Sequence, residues 1–259
     1  ITDLTIKDNN LIVATQGRSL WMLDDLSVIH QLYDADLSKN LLFKPKDTYR
    51  MRGGSSTGSK TTGTNHPNGV ITYFNLKDFK DDAKVSLTYF DTKGDTIKTF
   101  SNKDKKSKLK VEKGSNQFVW DMTYDGAERL DGMILWWASL EGPRAIPGQY
   151  KVSLSIEDSL KSNLFEMSKP FTVLADPRAE STLADMQKQF TFIKDVNKTM
   201  DDAHKSIKKI RAVNKQLSAF QQQYKVDENV KELVEKAKSL EEQLSSIEKE
   251  LYQTKNRSC

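Results

Sequence analysis

The chain opens with short segments in which apolar and polar side chains alternate, Thr2 to Ile6, Leu11 to Thr15 and Ser19 to Leu23, separated by Asn9, Asn10 and Gly17. A period of two is that of a β-strand, and Asn and Gly at the breaks mark tight turns. Leu26 to Leu42 suits a short helix and a tether, and Phe43 to Met51 an extended segment. Alternation returns at Val70 to Leu76, Lys84 to Asp91, Thr96 to Ser101, Asn116 to Met122 and Tyr150 to Glu157. Met133 to Ala138, MILWWA, is apolar on both sides, which predicts a central strand or one facing another domain. Pro147 followed by Gly148 predicts a type II turn with positive φ at the glycine.

Beyond Ala175 the period changes. Leu183, Met186, Phe190, Ile193, Val196 and Met200 begin a series of apolar positions at spacings of three and four that runs to Tyr224. This is the stripe of a long amphipathic helix. Ser181 or Thr182 can cap it, with Asp185 in the first turn. After a break at Lys225 to Glu228, Val230, Leu233, Ala237, Leu240, Leu244, Ile247 and Leu251 alternate without interruption, so the two helices are expected to form an antiparallel coiled-coil hairpin. At 1.5 Å per residue the first arm extends about 65 Å and the second about 40 Å. The second arm is then expected to run out near Val196, leaving Leu183, Met186, Phe190 and Ile193 to the sandwich or to a helix beyond Cys259, with at least two of the four buried against the sandwich.

Two stretches lack such a period. The run GGSSTGSKTTGTNHPNG predicts a flexible loop. The lysine-rich Ser101 to Lys113 reads either as an anion patch or, the plainer option, as an edge hairpin protected by charge.

At 259 residues the length allows about two domains. The formal charge of +4 is small and interleaved, so no nucleic-acid partner is expected. The single cysteine, Cys259, permits neither an internal disulfide nor a cysteine metal site. No apolar run approaches the roughly 20 residues of a membrane-spanning helix. The chain starts within a strand-like segment and without Met, which is expected of a piece of a longer protein.

The string NNLIVATQGRSLWMLDDL, with Gly17, Arg18, Ser19, Trp21, Leu23, Asp24 and Asp25, resembles the closing strands of a propeller blade in bacterial sortilin-like, BNR-repeat "glycosyl hydrolase" proteins. That family more often has His where Gln16 stands, and the chain has no Asp-box pattern. Asn116-x-Phe118-x-Trp120-Asp121 and the stretch Gly142 to Tyr150 resemble the FlgD-like or fibronectin-like sandwich that follows the propeller there. The resemblance implies an α+β multi-domain chain. A partial propeller blade with tether would occupy residues 1–42, an antiparallel Ig/FlgD-like β-sandwich 43–178 and the helical hairpin 179–259. It also implies an extracytoplasmic location, the rest of the propeller as partner in cis, a protein or glycan as further partner, and no catalytic residue in these segments.

Candidate chemistry is sparse. Trp120, Asp121, Asp125, Glu128, Asp131, Trp136, Trp137 and Glu141 combine aromatic rings with carboxylates, as carbohydrate clefts do. Trp120, Trp136, Trp137 and Asp121 are therefore the candidate carbohydrate contacts, set against the plainer reading of core tryptophans and solvated acids. His30, His66 and His204 lie in separate segments, so no metal site is expected, and no cofactor motif occurs. Lys205, Lys208, Lys209, Arg211 and Lys215 read as an anionic-surface patch or as the wet face of the hairpin. Asn197-Lys198-Thr199 and Asn256-Arg257-Ser258 match the glycosylation pattern. Three functions follow for test: a non-catalytic scaffold or interaction region, part of a glycoside hydrolase with its catalytic groups in absent blades, or a carbohydrate-binding module.

Overall fold

The computed structural model describes residues 1–51, 66–80, 82–135, 138–160 and 162–252. It is a mixed α/β structure with three sheets and three α-helices among the described residues, the longest helix lying in the C-terminal part. The chain falls into two compact units, Ile1–Tyr124 with Arg144–Lys188, and Asp125–Pro143 with Gln189–Cys259. Of the loop predicted above, 53–69, residues 53–65 lie outside the described residues.

In the first unit, β1 (Asp3–Lys7), β2 (Asn10–Ala14) and β3 (Leu20–Leu23) form an antiparallel meander. Its ladder aligns Leu4 with Val13 and Trp21, and Ile6 with Leu11 and Leu23, so all six share one face. Ile12 and Met22 pair on the other. Neither face is covered: Trp21 is 65% exposed and Leu4 56% on one, Met22 61% and Leu20 73% on the other. A helix α1 (Ser27–Tyr33) and the two-residue strands β4 (Leu41–Leu42) and β5 (Thr48–Tyr49) follow.

The core is built from two further sheets. One orders β4, β6 (Val70–Leu76) and β9 (Gly114–Trp120). The other orders β5, β11 (Asn163–Leu174), β10 (Gly148–Glu157), β7 (Lys84–Phe90) and β8 (Thr96–Ser101). Alternate positions of both, among them Val70, Phe74, Leu87, Tyr89, Trp120, Leu154 and Phe171, belong to one buried apolar cluster. The turn between β7 and β8 holds Gly94 at φ +85°, as a tight hairpin requires.

Strand β5 runs parallel to the end of β11, Thr48 opposite Val173 and Tyr49 opposite Leu174, and Arg50 N–H continues the bonding to the Leu174 carbonyl at 2.8 Å. Two arginines tie the same region. Arg50 Nε donates to the Ala145 carbonyl at 2.9 Å, and Arg144 Nη2 to the Met51 carbonyl at 2.8 Å.

Three local expectations are corrected here. Gly148 does not take a positive φ; it opens β10 opposite Val173, and strand pairing sets its backbone in place of a type II turn. Residues 102–113 form no hairpin, only turns and an isolated bridge from Ser101 to Lys108. Met133 to Leu135 and Ala138 are not in a strand; Met133 is held locally instead, its N–H donating to the Leu130 carbonyl at 3.2 Å and its own carbonyl accepting from Arg129 Nη2 at 3.0 Å.

The long helix α2 (Leu183–Gln223) starts at a reciprocal cap: Thr182 Oγ1 accepts from Asp185 N–H at 3.2 Å, and Asp185 Oδ2 accepts from the Thr182 N–H at 3.2 Å. Helix α3 (Lys231–Leu251) carries side chains bonded to α2 in opposite order along the two helices. Arg211 meets Glu248 at 2.7 Å, Asn214 meets Ser245 at 3.2 Å, and Ser218 and Gln221 both reach Glu241, at 2.8 and 2.6 Å. With Arg211 opposite Glu248, the last residue of α3 lies opposite about residue 208 at 1.5 Å per residue. The short arm therefore ends earlier than the expected Val196, because the pairing register leaves more residues in the connection. Of Leu183, Met186, Phe190 and Ile193 only Met186 is buried; Phe190 and Ile193 are half-buried and Leu183 is exposed.

Candidate functional site

Of the acidic and aromatic cluster singled out in the sequence, Trp120 and Asp121 belong to the first unit and Asp125, Glu128, Asp131 and Glu141 to the second. Trp120 is fully buried, stacked on Tyr89 at 4.5 Å between ring centroids, and its indole N–H donates to the Thr123 carbonyl at 3.2 Å. A ring with no exposed face offers none to a sugar, so the candidate contact at Trp120 is corrected to a core residue. Asp121 is exposed, but its Oδ1 accepts from Thr123 N–H at 3.0 Å and from Thr123 Oγ1 at 2.6 Å, which shapes the turn after β9. Trp136 and Trp137 lie outside the described residues.

The tyrosines of this core are held neutral. Tyr89 is pushed far up by burial, with only the hydroxyl of Thr72 at 2.7 Å as partner. Burial raises Tyr124 as well, and Tyr150 is pushed up to about 12 by burial, its hydroxyl donating to the Ile146 carbonyl at 2.7 Å.

The most organised constellation lies in the second unit, where the segment 125–143 is fastened to α2. The loop first closes on itself, Ala127 N–H donating to the Leu140 carbonyl at 2.9 Å. Gly126 makes this possible, because a Cβ there would stand 1.8 Å from the Leu140 oxygen. Side chains of α2 then bind the loop's backbone. Asn197 Nδ2 donates to the Glu141 carbonyl at 3.0 Å, Asp201 Oδ1 accepts from Glu128 N–H, and His204 Nδ1 bonds the Glu128 carbonyl. Lys208 pairs with the Glu128 carboxylate at 2.6 Å, and Arg211 Nη1 reaches the Asp131 carbonyl at 3.5 Å. Asn197, His204, Ile207 and Leu130 are buried.

Two sets that looked independent in sequence thus answer one another. Glu128 and Asp131 are taken up, through side chain or backbone, by Lys208 and Arg211 of the basic helix face. Neither set is left as a carbohydrate cleft or an anionic-surface patch in its entirety. Asn197, of the glycosylation pattern, has its amide committed to the loop.

Sequence reasoning missed Asn197, Asp201 and His204 as a fastening row. The signal was present: Asn197, Asp201, His204, Lys208 and Arg211 recur at four and three, a polar row on one helix face. Apolar periodicity does not mark this row, because it is polar.

Among the described residues no group of three or more His, Cys, Asp or Glu could hold a metal ion. An open hollow of about 570 Å³ in the first unit is bordered by Asn40, Asp78, Phe79, Lys113, Ile156 and Leu164. Lys80 borders it as well, and two of its charges are paired, Lys113 with Asp78 at 2.9 Å, where the hydrogen bond from Lys113 holds the Asp78 carboxyl below its usual range. No described helix is long and apolar enough to cross a membrane.

No family model matches the chain, and no curated protein matches it. A solved structure, that of a family 76 glycoside hydrolase from a bovine Bacteroides thetaiotaomicron strain, is similar at 12% identity over 41% of this chain and 18% of that one. With a TM-score of 0.25, that likeness carries no argument about the activity of this chain.

Proposed function

We propose that the chain is a non-catalytic structural and interaction region of an exported β-propeller protein. In this reading a partial blade leads into an Ig/FlgD-like β-sandwich and then an antiparallel coiled-coil hairpin. The observation that carries it is the meander β1–β3, whose ladder sets apolar side chains on both faces and leaves both open. A sheet apolar on two sides is suited to lie between two other layers, as a blade does between its neighbours. The resemblance of Gly17, Arg18, Ser19, Trp21 and Leu23 to a blade's closing strands points the same way.

Leu4, Ile6, Trp21 and Leu23 test it when replaced together by Thr, Thr, Thr and Lys. The parent chain should bind an apolar dye, the variant several-fold less, with the thermal transition of the core sheets unchanged. Unfolding of those sheets in the variant would show that the meander is part of their support, and would sink the reading. The carbohydrate-module reading loses Trp120 to the core, and a saturable heat on titrating an oligosaccharide into this chain would restore it. The glycoside-hydrolase reading places its catalytic groups in blades outside this chain and does not rest on Trp120.

A further inference from the structure

Helix α3 carries an apolar row that α2 does not cover. Leu233, Leu240 and Ile247 are spaced by seven, yet stand 54%, 44% and 47% exposed. The row that meets α2 consists instead of Ala237, Glu241, Leu244, Ser245 and Glu248, all buried or half-buried, with Glu241, Ser245 and Glu248 bonded to α2. A rotation of about 100° per residue puts Leu240 and Ile247 about 60–100° round the helix from that row. On α2 the same construction puts Val213, Leu217 and Phe220 to one side of the bonding row of Arg211, Asn214 and Ser218. In a pair of helices bonded in opposite order, these apolar sides fall on the same flank. The pair is therefore joined by hydrogen bonds along its seam and has one flank that is apolar.

Which partner fits is set by the charges beside the bare row. Lys236, Gln243 and Glu250 are also spaced by seven and border Leu233, Leu240 and Ile247 on the side away from α2. Lys236 and Glu250 each lie seven residues from Gln243. A copy of α3 reversed about Gln243 brings Lys236 of each copy opposite Glu250 of the other, and Leu240 to within one residue of the position opposite Ile247. The row is complementary to itself under a two-fold rotation and to no parallel copy, in which Lys236 would face Lys236. The intrachain pair of Lys236 with Glu232, at 2.6 Å, is 70% and 80% exposed and weak enough to yield.

We propose that a second copy of this chain docks on this flank, α3 against α3 in opposite directions, with the two-fold axis at Gln243. The two helices of each copy then form a four-helix layer whose seam is Leu240 and Ile247 of each copy, with rim ion pairs between Lys236 and Glu250. This stands on α3 and its pairing with α2 alone and is independent of the propeller reading, so either can fail without the other.

Sedimentation of the whole chain over a range of concentrations tests it. The chain should dimerise, and Leu240→Glu with Ile247→Glu should raise the dissociation constant by about 100-fold or more, as for loss of buried seam residues. Lys236→Glu alone and Glu250→Lys alone should each raise it by about tenfold, since two rim pairs become repulsive. An equimolar mixture of those two variants should return to within about threefold of the parent, because each unlike pair is attractive again. A chain that stays monomeric at every concentration overturns the proposal. A dimer indifferent to Leu240→Glu and Ile247→Glu overturns it too, as does a mixture that recovers nothing. Circular dichroism at 222 nm checks that the helices persist, and the charge-exchange mixture decides the matter even if the seam variant unfolds.

Discussion

Two adjacent stretches of the chain, Gly114 to Met122 and Asp125 to Glu141, are fixed by opposite means. The first is a strand whose Trp120 is sealed among Tyr89, Tyr150 and Phe171, with one polar atom to satisfy. The second has no strand or helix among its described residues, and its carbonyls and N–H groups are met by side chains of α2. Apolar sealing tolerates few geometric errors but needs no exact partner atoms. Backbone fastening needs each partner atom, since a buried carbonyl left alone costs about 1–3 kcal/mol.

Substitutions at single positions can break or sharpen this contrast. Trp120→Ala should be the most damaging, at about 3–5 kcal/mol in a denaturant titration, as the cavity lies between two sheets. Gly126→Ala should cost about 1–3 kcal/mol, because the added carbon must push the Leu140 carbonyl away. Its effect should appear as faster amide exchange across residues 125–143, with exchange in β7 and β10 unchanged. His204→Ala should cost about 1–3 kcal/mol and expose the same segment, since the Glu128 carbonyl loses its partner. If Gly126→Ala or His204→Ala instead loosens β7 and β10 equally, the two stretches are not held separately.

Alkaline pH should act on the sealed stretch first. Tyr89, Tyr124 and Tyr150 have folded pKa values above their unfolded value near 10, so the folded state keeps protons that the unfolded state gives up. Their contribution is complete below about pH 10 and falls as pH rises through about 12 for Tyr150. The slope per raised tyrosine is at most about 1.4 kcal/mol per pH unit. Thermal melts from pH 9 to 12 should show the transition dropping, more gently in Tyr150→Phe. The smallest effect is expected at Asp121→Ala, within about 1 kcal/mol, as this exposed carboxylate supports only a local turn.

The same contrast explains what the sequence disclosed. Val70 to Leu76, Thr96 to Ser101 and most of Lys84 to Asp91 are strands because one face meets the shared core, and alternation records that directly. The helix start at Thr182 and Asp185 was equally readable, since the cap is made by neighbours in sequence. Met133 to Ala138 misled because apolar density without a period does not say strand. The fastening row on α2 went unread because its partners lie more than fifty residues away and are mostly backbone atoms, which leave no trace in the sequence. Nor did the heptads of α3 reveal their register against α2, which Glu241, Ser245 and Glu248 set through polar bonds.

The parallel pairing of β5 with the end of β11 has a mechanical meaning. Drawing the chain out backwards through Thr48 and forwards through Leu174 would slide the two strands past each other along their length. The ladder bonds, the Arg50 N–H bond beyond them and the arginine ties would then share the load and yield together instead of peeling open one by one. A pull applied at these two points is therefore met in shear at this short seam.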